Sequence, residues 1–376
     1  MVSLREVFAR INEQLSSTIN EQLSSTSFYP EWIARSPLQA IEFAQDGTAS
    51  VVDVPRPSAG AGEVVVRVTS AGVCGSDISA LHGTHPFRKP PLISGHEVGG
   101  IIDEIGPDAV ADLQVGARVI IDPQWPCQTC ELCTRGDYHL CTDKTMLGVP
   151  KWPGGLADFV KVPTFTLVPA PKSLDTSLLS FAEPVAVAVH AVRRAGQLGG
   201  VRKALVLGGG TIGTLITAVL SVQAPDLEIT VAEPRQLLHK LLTTAGATTT
   251  VEDAEQLPGN NYDLVFLAAS VPALVSTAVE SAATGGTVVQ VAVFGSAHPT
   301  PVGDLQLREI TLTGTVTYTK DDIAAALQVI EAKPDLVRRM VTYTEDWSDA
   351  ARQITRFAAE GPGEVMKLIV RRGAES

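Results

Sequence analysis

A chain of 376 residues with 29 Lys and Arg against 41 Asp and Glu has a formal net charge of −12 and is long enough for two domains with substantial cores. It has no block of Lys or Arg to grip a phosphodiester backbone, so nucleic acid is excluded as the expected partner. No apolar run reaches the roughly 18 residues of a membrane span, and Glu6 and Glu13 near the start fit neither a secretory signal nor an acid-poor transit peptide, so the expected compartment is the cytoplasm, where thiols stay reduced.

Residues 1–36 form a prefix holding a tandem repeat, INEQLSST twice over residues 11–26. Leu4, Phe8, Ile11, Leu15, Ile19 and Leu23 keep helical spacing, which predicts an amphipathic helix. It suits either an arm docking on another subunit or a frayed extension left by a short duplication. Two copies are too few for a repeat architecture. From LQAIEF (38–43) through GEVVVRVTSAGVCGSD (62–77) the pattern turns to short β-type runs separated by Gly and Pro, as in a β-rich domain. Cys74 lies in GVCGSD, and His96 and Glu97 lie in SGHEVGG. Each alone has an ordinary reading as a core or surface residue.

Four of the five cysteines follow in CQTCELCTRGDYHLC, residues 127–141. Cys127, Cys130, Cys133 and Cys141 have the spacing C-x2-C-x2-C-x7-C, short enough for four thiolates to converge on one tetrahedral ion. A reducing compartment disfavours disulfides, and zinc suits an all-sulfur, redox-inert site better than a hard cation does. The plainer alternative is a chance cluster of free thiols.

Glu183 opens the next informative stretch, SFAEPVAVAVHA (180–191). Together with Cys74, His96 and Glu97 it offers sulfur, nitrogen and oxygen donors from distant segments, the composition of an open catalytic zinc site. KALVLGGGTIGTLITAVLSV (203–222) then reads as strand, glycine turn and helix. EITVAEP, YDLVFLAAS and GGTVVQVAVFG add apolar strands between helical stretches, which predicts a parallel α/β sheet. Gly208, Gly210 and Gly213 form G-x-G-x-x-G, with Thr211 and Ile212 between them. Such a turn lets a pyrophosphate approach a helix N-terminus. Glu233, twenty residues after Gly213, is placed to accept hydrogen bonds from an adenosine ribose. The tail, from EITLTGTVTYT to EVMKLIVRR, returns to mixed strand and helix and is expected to rejoin the first domain.

In this order, AGVCGSD, GHE, the four-cysteine lobe, AEPVAVAVHA and LGGGTIG resemble the zinc-dependent medium-chain dehydrogenases/reductases over about residues 37–376. The resemblance implies an α/β protein with a GroES-like β-rich catalytic domain, residues 37–182 and 311–376. A Rossmann doubly wound parallel sheet at 183–310 would complete it. Glu183 followed by Pro184 is most similar to the polyol, butanediol and threonine dehydrogenase branch.

The same resemblance makes Cys74 and His96 ligands of a catalytic zinc, with Glu97 and Glu183 both near the metal, and gives the lobe a structural zinc, two ions per chain. Ser76 is implied to hydrogen-bond the substrate oxygen, and Asp77 to orient the histidine. Where many relatives carry a proton-relaying histidine this chain has Ser79, leaving Ser79, a water or His82 as the exit. Val293 and Phe294 are implied to run beside the nicotinamide, although a core strand explains them as well. The implied substrate is a small hydroxylated molecule, a polyol or cyclitol, with a threonine-type amino alcohol as the alternative; a catalytically silent nucleotide-binding protein that keeps the fold is the alternative of another class, against which Cys74, His96 and Glu183 are all present. Trp125, Trp152 and His85 are candidates for its cleft. NAD is expected rather than NADP because Glu233 would face the 2′-phosphate, while Arg235 could offset it. A homodimer or homotetramer is expected, joined at an unpaired sheet edge near TVVQVAVF, residues 287–294.

Overall fold

The computed structural model describes residues 37–109 and 112–372, so the predicted prefix helix lies outside the described residues. Antiparallel strands dominate the first layer. Its largest sheet runs Leu167–Pro169, Arg118–Ile121, Glu97–Ile105, Glu63–Val73, Lys367–Arg371 and Val341–Thr344, and Phe159–Pro163 also pairs with Glu63–Val73. Val64, Val66 and Val68 alternate onto one apolar face with Val98 and Ile102, the period of two expected of a strand. Gly99 lies against Leu179, where an added Cβ would stand 2.0 Å from the leucine Cβ. A smaller sheet, in the order Ala49–Val54, Leu38–Phe43, Leu92–Ile93, flanks it.

The second layer is a six-stranded parallel sheet. Numbered by chain position its strands lie in the order 3-2-1-4-5-6: Thr249–Val251, Glu228–Ala232, Lys203–Leu207, Tyr262–Leu267, Ala282–Gln290, Thr311–Gly314. Ala204 and Val206 pack into one core and Leu205 and Leu207 into another, so the sheet is covered on both faces. Helices Ala182–Arg194, Thr211–Gln223 and Lys320–Ala332 lie on one face, and Leu274–Ser281 on the other. Strand order reverses beside Lys203–Leu207, the position at which such sheets bind ligands.

The sheet extends past residue 310, the boundary expected from sequence. Thr311–Gly314 is its last strand, so Ala282–Gln290, where the unpaired edge was expected, is paired on both sides, and Lys320–Ala332 and Pro334–Met340 pack on the same layer. Regular strand pairing with the first layer resumes at Val341–Thr344. The sequence reading erred because a strand at a sheet edge, exposed along most of its length, carries little hydrophobic pattern.

Candidate active site

Cys74 caps the helix Gly75–Leu81, and its backbone N–H donates to Asp77 Oδ2 at 2.9 Å. Asp77 is fully buried, and its Oδ1 accepts from Ser94 Oγ at 2.6 Å and Arg88 NH1 at 3.2 Å. Burial opposes its ionisation, but His96, Arg88 and Ser94 outweigh burial and hold the carboxyl well below the usual carboxylate range. The same oxygen lies 3.5 Å from His96 Nδ1, and so fixes the ring. Donor atoms of Cys74, His96 and Glu97 lie within 4.8 Å of one another.

Glu97 is completely buried. Its Oε1 accepts from Lys367 Nζ, which also donates to Val73 O at 3.1 Å, while its Oε2 has no hydrogen-bond partner. Glu183 is brought near this trio but stands outside it: Oε1 accepts from Tyr318 Oη at 2.7 Å. Burial first, and the charge of Glu97 in addition, raise its carboxyl.

Three features fit a divalent cation here. Sulfur, imidazole and carboxylate are zinc's ordinary donors. An orphaned buried carboxylate oxygen lacks the partner such an atom requires. The third is space beside that oxygen. Gly72 provides the room, because a Cβ there would lie 1.9 Å from Glu97 Oε2. Gly72→Ala is accordingly expected to displace the carboxylate and cut occupancy of this zinc by at least about tenfold, the scale of a lost supporting contact, with the lobe zinc retained; metal analysis by emission spectrometry checks both.

The lobe meets a similar test. All five cysteines are free thiols. Cys130 and Cys127 Sγ lie 3.5 and 3.9 Å from Cys133 Sγ, bracketing the ~3.8 Å edge of a tetrahedron with zinc–sulfur bonds of about 2.3 Å. The backbone amides of Thr129 and Cys130 hold the Cys127 thiol below its ordinary range, favouring a thiolate. The lobe is an excursion from a two-stranded ribbon, Gln124–Trp125 with Thr145–Met146. At its base Gln124 Nε2 donates to Tyr318 O at 2.8 Å, and Lys144 Nζ to Thr317 Oγ1 at 3.3 Å. Thr317 has φ +48°, rare for a β-branched residue. The lobe base thereby holds the loop whose Tyr318 reaches Glu183.

At the parallel sheet, Gly208 has φ +102° and Gly213 approaches so closely that a Cβ would stand 1.8 Å from Gly208 O. Gly210 caps the helix Thr211–Gln223. Gly209 N–H donates to Glu233 Oε2 at 2.9 Å. Arg235 pairs with Glu233 through Nε at 2.7 Å and NH2 at 3.2 Å. Thr211 spends its hydroxyl on Met366 O at 2.6 Å, and Ile212 packs against the core. Val293 is 84% exposed beyond its strand's carboxyl end, which removes the core-strand explanation for it; Phe294 is half-buried and meets His298 edge-on. Trp125 meets Trp152 edge-on at 5.4 Å, and His85 Nδ1 accepts the Arg88 backbone N–H at 3.2 Å.

Sequence reasoning missed Arg88, Lys367 and Tyr318. Only Lys367 left a signal, a lone charge inside the apolar run VMKLIV.

A sulfur–nitrogen–oxygen trio on one layer, a four-thiol lobe, and a glycine turn at the reversal of a parallel sheet define a zinc-binding dehydrogenase. The alcohol dehydrogenase GroES-like domain family matches residues 60–172, and the zinc-binding dehydrogenase family matches residues 213–332. Sorbitol dehydrogenase of Arabidopsis thaliana is 32% identical over 302 residues, 76% of this chain and 82% of the plant protein. D-xylulose reductase A of Aspergillus niger is 28% identical over 323 residues, 82% of this chain and 89% of the fungal one. A solved structure described as a zinc-binding dehydrogenase of Sinorhizobium meliloti 1021, bound to NADP, superposes with TM-score 0.80 at 30% identity, covering 90% of this chain and all of that one. The chain belongs to the zinc-dependent medium-chain dehydrogenase/reductase family, polyol branch, and is an oxidoreductase acting on CH–OH groups.

Proposed function

We propose that the protein oxidises a secondary alcohol of a polyol, cyclitol or related compound with NAD. The observation that carries this reading is the Cys74–His96–Glu97 trio, two of whose members, Cys74 and His96, share one hydrogen-bond network with Ser76 through Arg88 and Asp77. Zinc held by the trio would act as a Lewis acid, favouring negative charge on the alcohol oxygen. Ser76 would accept the hydroxyl proton while releasing its own toward solvent, and NAD, when bound, would supply the acceptor for the carbon-bound hydrogen as hydride, so that alcohol and NAD give a ketone, NADH and a proton. Ser79 Oγ donates to Gly75 O, and His82 Nε2 lies 2.8 Å from Ala358 O. Ser79, His82 and water all stay candidates for the proton exit.

Gly208, Gly210 and Gly213 would cradle the pyrophosphate, Glu233 would hold the ribose, and Val293 would border the nicotinamide. The lobe cysteines would hold the second zinc. The cofactor domain would begin near Glu183 and the chain would return to the catalytic domain near residue 341. No helix among the described residues is long and apolar enough to cross a membrane, and we place the protein in the cytoplasm. An NAD-reduction screen over polyols, cyclitols, diols and amino alcohols tests the function. Turnover of polyols or cyclitols supports it. Turnover of amino alcohols alone would move the protein to the threonine type, and zinc-replete protein inert on all four classes would refute dehydrogenase activity.

The edge strand Thr311–Gly314 and the neighbouring exposed Leu307 (77%) and Leu312 (40%) would join a second copy. Light scattering at micromolar concentration is expected to show a dimer or tetramer, and Leu307→Lys with Leu312→Lys to weaken it at least about tenfold. A monomeric wild type sinks the idea.

A further inference from the structure

Arg88 sits in the loop between Gly75–Leu81 and Leu92–Ile93, where an arginine is ordinarily solvated, yet it is only 2% exposed. A buried guanidinium is costly unless its donors and charge are matched. NH1 donates to Ser76 Oγ at 3.3 Å and Asp77 Oδ1 at 3.2 Å and lies 2.7 Å from His96 Nδ1, while NH2 donates to Leu147 O at 3.3 Å. One planar group therefore ties the substrate-side helix, the histidine segment and the base of the lobe ribbon. The hydride chemistry proposed above gives it no step of its own.

We propose that Arg88 is a positioning residue that fixes the Ser76 hydroxyl and the Asp77 carboxylate for the reacting oxygen. This rests on the zinc-dehydrogenase reading. A serine hydroxyl has one donor hydrogen and two acceptor lone pairs on a free rotor. With a guanidinium N–H on one lone pair, the O–H and the second lone pair are confined to the other side of the oxygen. Ser76 then meets an alcohol oxygen without first having to be ordered. The fixed positive charge also favours negative charge developing on an oxygen hydrogen-bonded to Ser76. Lysine cannot replace the fork, because a single ammonium can pair with Asp77 but cannot also span Ser76 and Leu147 with a rigid plane.

The test compares Arg88→Met and Arg88→Lys, alone and combined with Ser76→Ala. Zinc release to a chelator and the unfolding midpoint need no turnover; kcat and KM are then taken on the best alcohol from the screen. Arg88→Met is expected to keep both zinc ions but to release one about tenfold faster, the scale of a lost supporting contact. Its kcat should fall about 100-fold with KM for NAD unchanged, Arg88→Lys should recover about tenfold, and in the Ser76→Ala background the loss should shrink to under about threefold. An additive cycle, or wild-type zinc release in both Arg88 variants, overturns the proposal. So does failure of both to fold, which would assign Arg88 to core stability. A wild type that oxidises no alcohol refutes the functional reading, and the release rates still judge Arg88.

Discussion

Cys74→Ser is expected to remove one of two zinc ions and to lower kcat at least about 1,000-fold, while the unfolding midpoint stays within about 3 °C of wild type. A thousandfold loss corresponds to about 4 kcal/mol of transition-state stabilisation, within what a Lewis-acid metal supplies at a developing alkoxide. The fold should survive because Cys74 is only half-buried and belongs to neither core. Cys130→Ser should behave in the opposite way. The four-residue helix of the lobe has no buried residue, and although Tyr138 donates to Asp122 at 2.7 Å and His139 is buried, residues 127–136 have no apolar core of their own, so the metal would supply much of their order. Loss of that ion should lower the midpoint by at least about 5 °C, since each kcal/mol is worth about 2–4 °C in a protein of this size or somewhat smaller. Molecules still folded should keep kcat within about tenfold. Metal-free wild type with full activity would refute the mechanism.

The second large effect concerns the cofactor. Wild type is expected to show the higher kcat/KM with NAD, and Glu233→Ser to narrow that preference about 100-fold. Glu233 is 4% exposed, and although burial raises its carboxyl, Arg235 and the Gly209 amide outweigh burial and lower it, so it remains ionised. A 2′-phosphate about 4 Å away would meet a repulsion of about 4 kcal/mol at an effective dielectric of 20, nearly three decades of affinity. The paired Arg235 offsets part of this, which is why 100-fold rather than 1,000-fold is expected. Removing the carboxylate also frees Arg235, whose side chain is 44% exposed, to turn toward a phosphate. A wild-type preference for NADP, the cofactor bound to the Sinorhizobium relative, would assign the pocket to Arg235.

The four lobe cysteines and Gly208 to Gly213 stand out in the sequence within a few positions, because a metal lobe or a phosphate turn is built by neighbouring chain, whereas Cys74 became a candidate only beside His96, Glu97 and Glu183 from distant segments. The parallel sheet was legible for a related reason: strands such as KALVL are buried on both faces and read as continuous apolar runs. The edge strand Thr311–Gly314 has no such run, and the domain boundary was placed too early. Arg88 was illegible because its partners lie on other segments, from Ser76 to Leu147. Tyr318 meets Glu183 across 135 positions, and no spacing rule reaches that far.

The bond from Lys367 to Val73 joins residues 294 positions apart, and the strand Lys367–Arg371 pairs with Glu63–Val73. The order of events on a ribosome follows. The parallel sheet, complete by residue 314, can close while the C-terminal segment is still being made. The antiparallel sheet waits for one of the last strands to emerge. Until then Glu97 lacks its ammonium partner, and a nascent chain carries its trio with the negative charge uncompensated. Long-range closure of this kind is slow. Completion of the ligand set is therefore a late step in the maturation of this protein, and a ribosome-stalled chain ending before Lys367 should bind zinc at the lobe but hold it poorly at the trio.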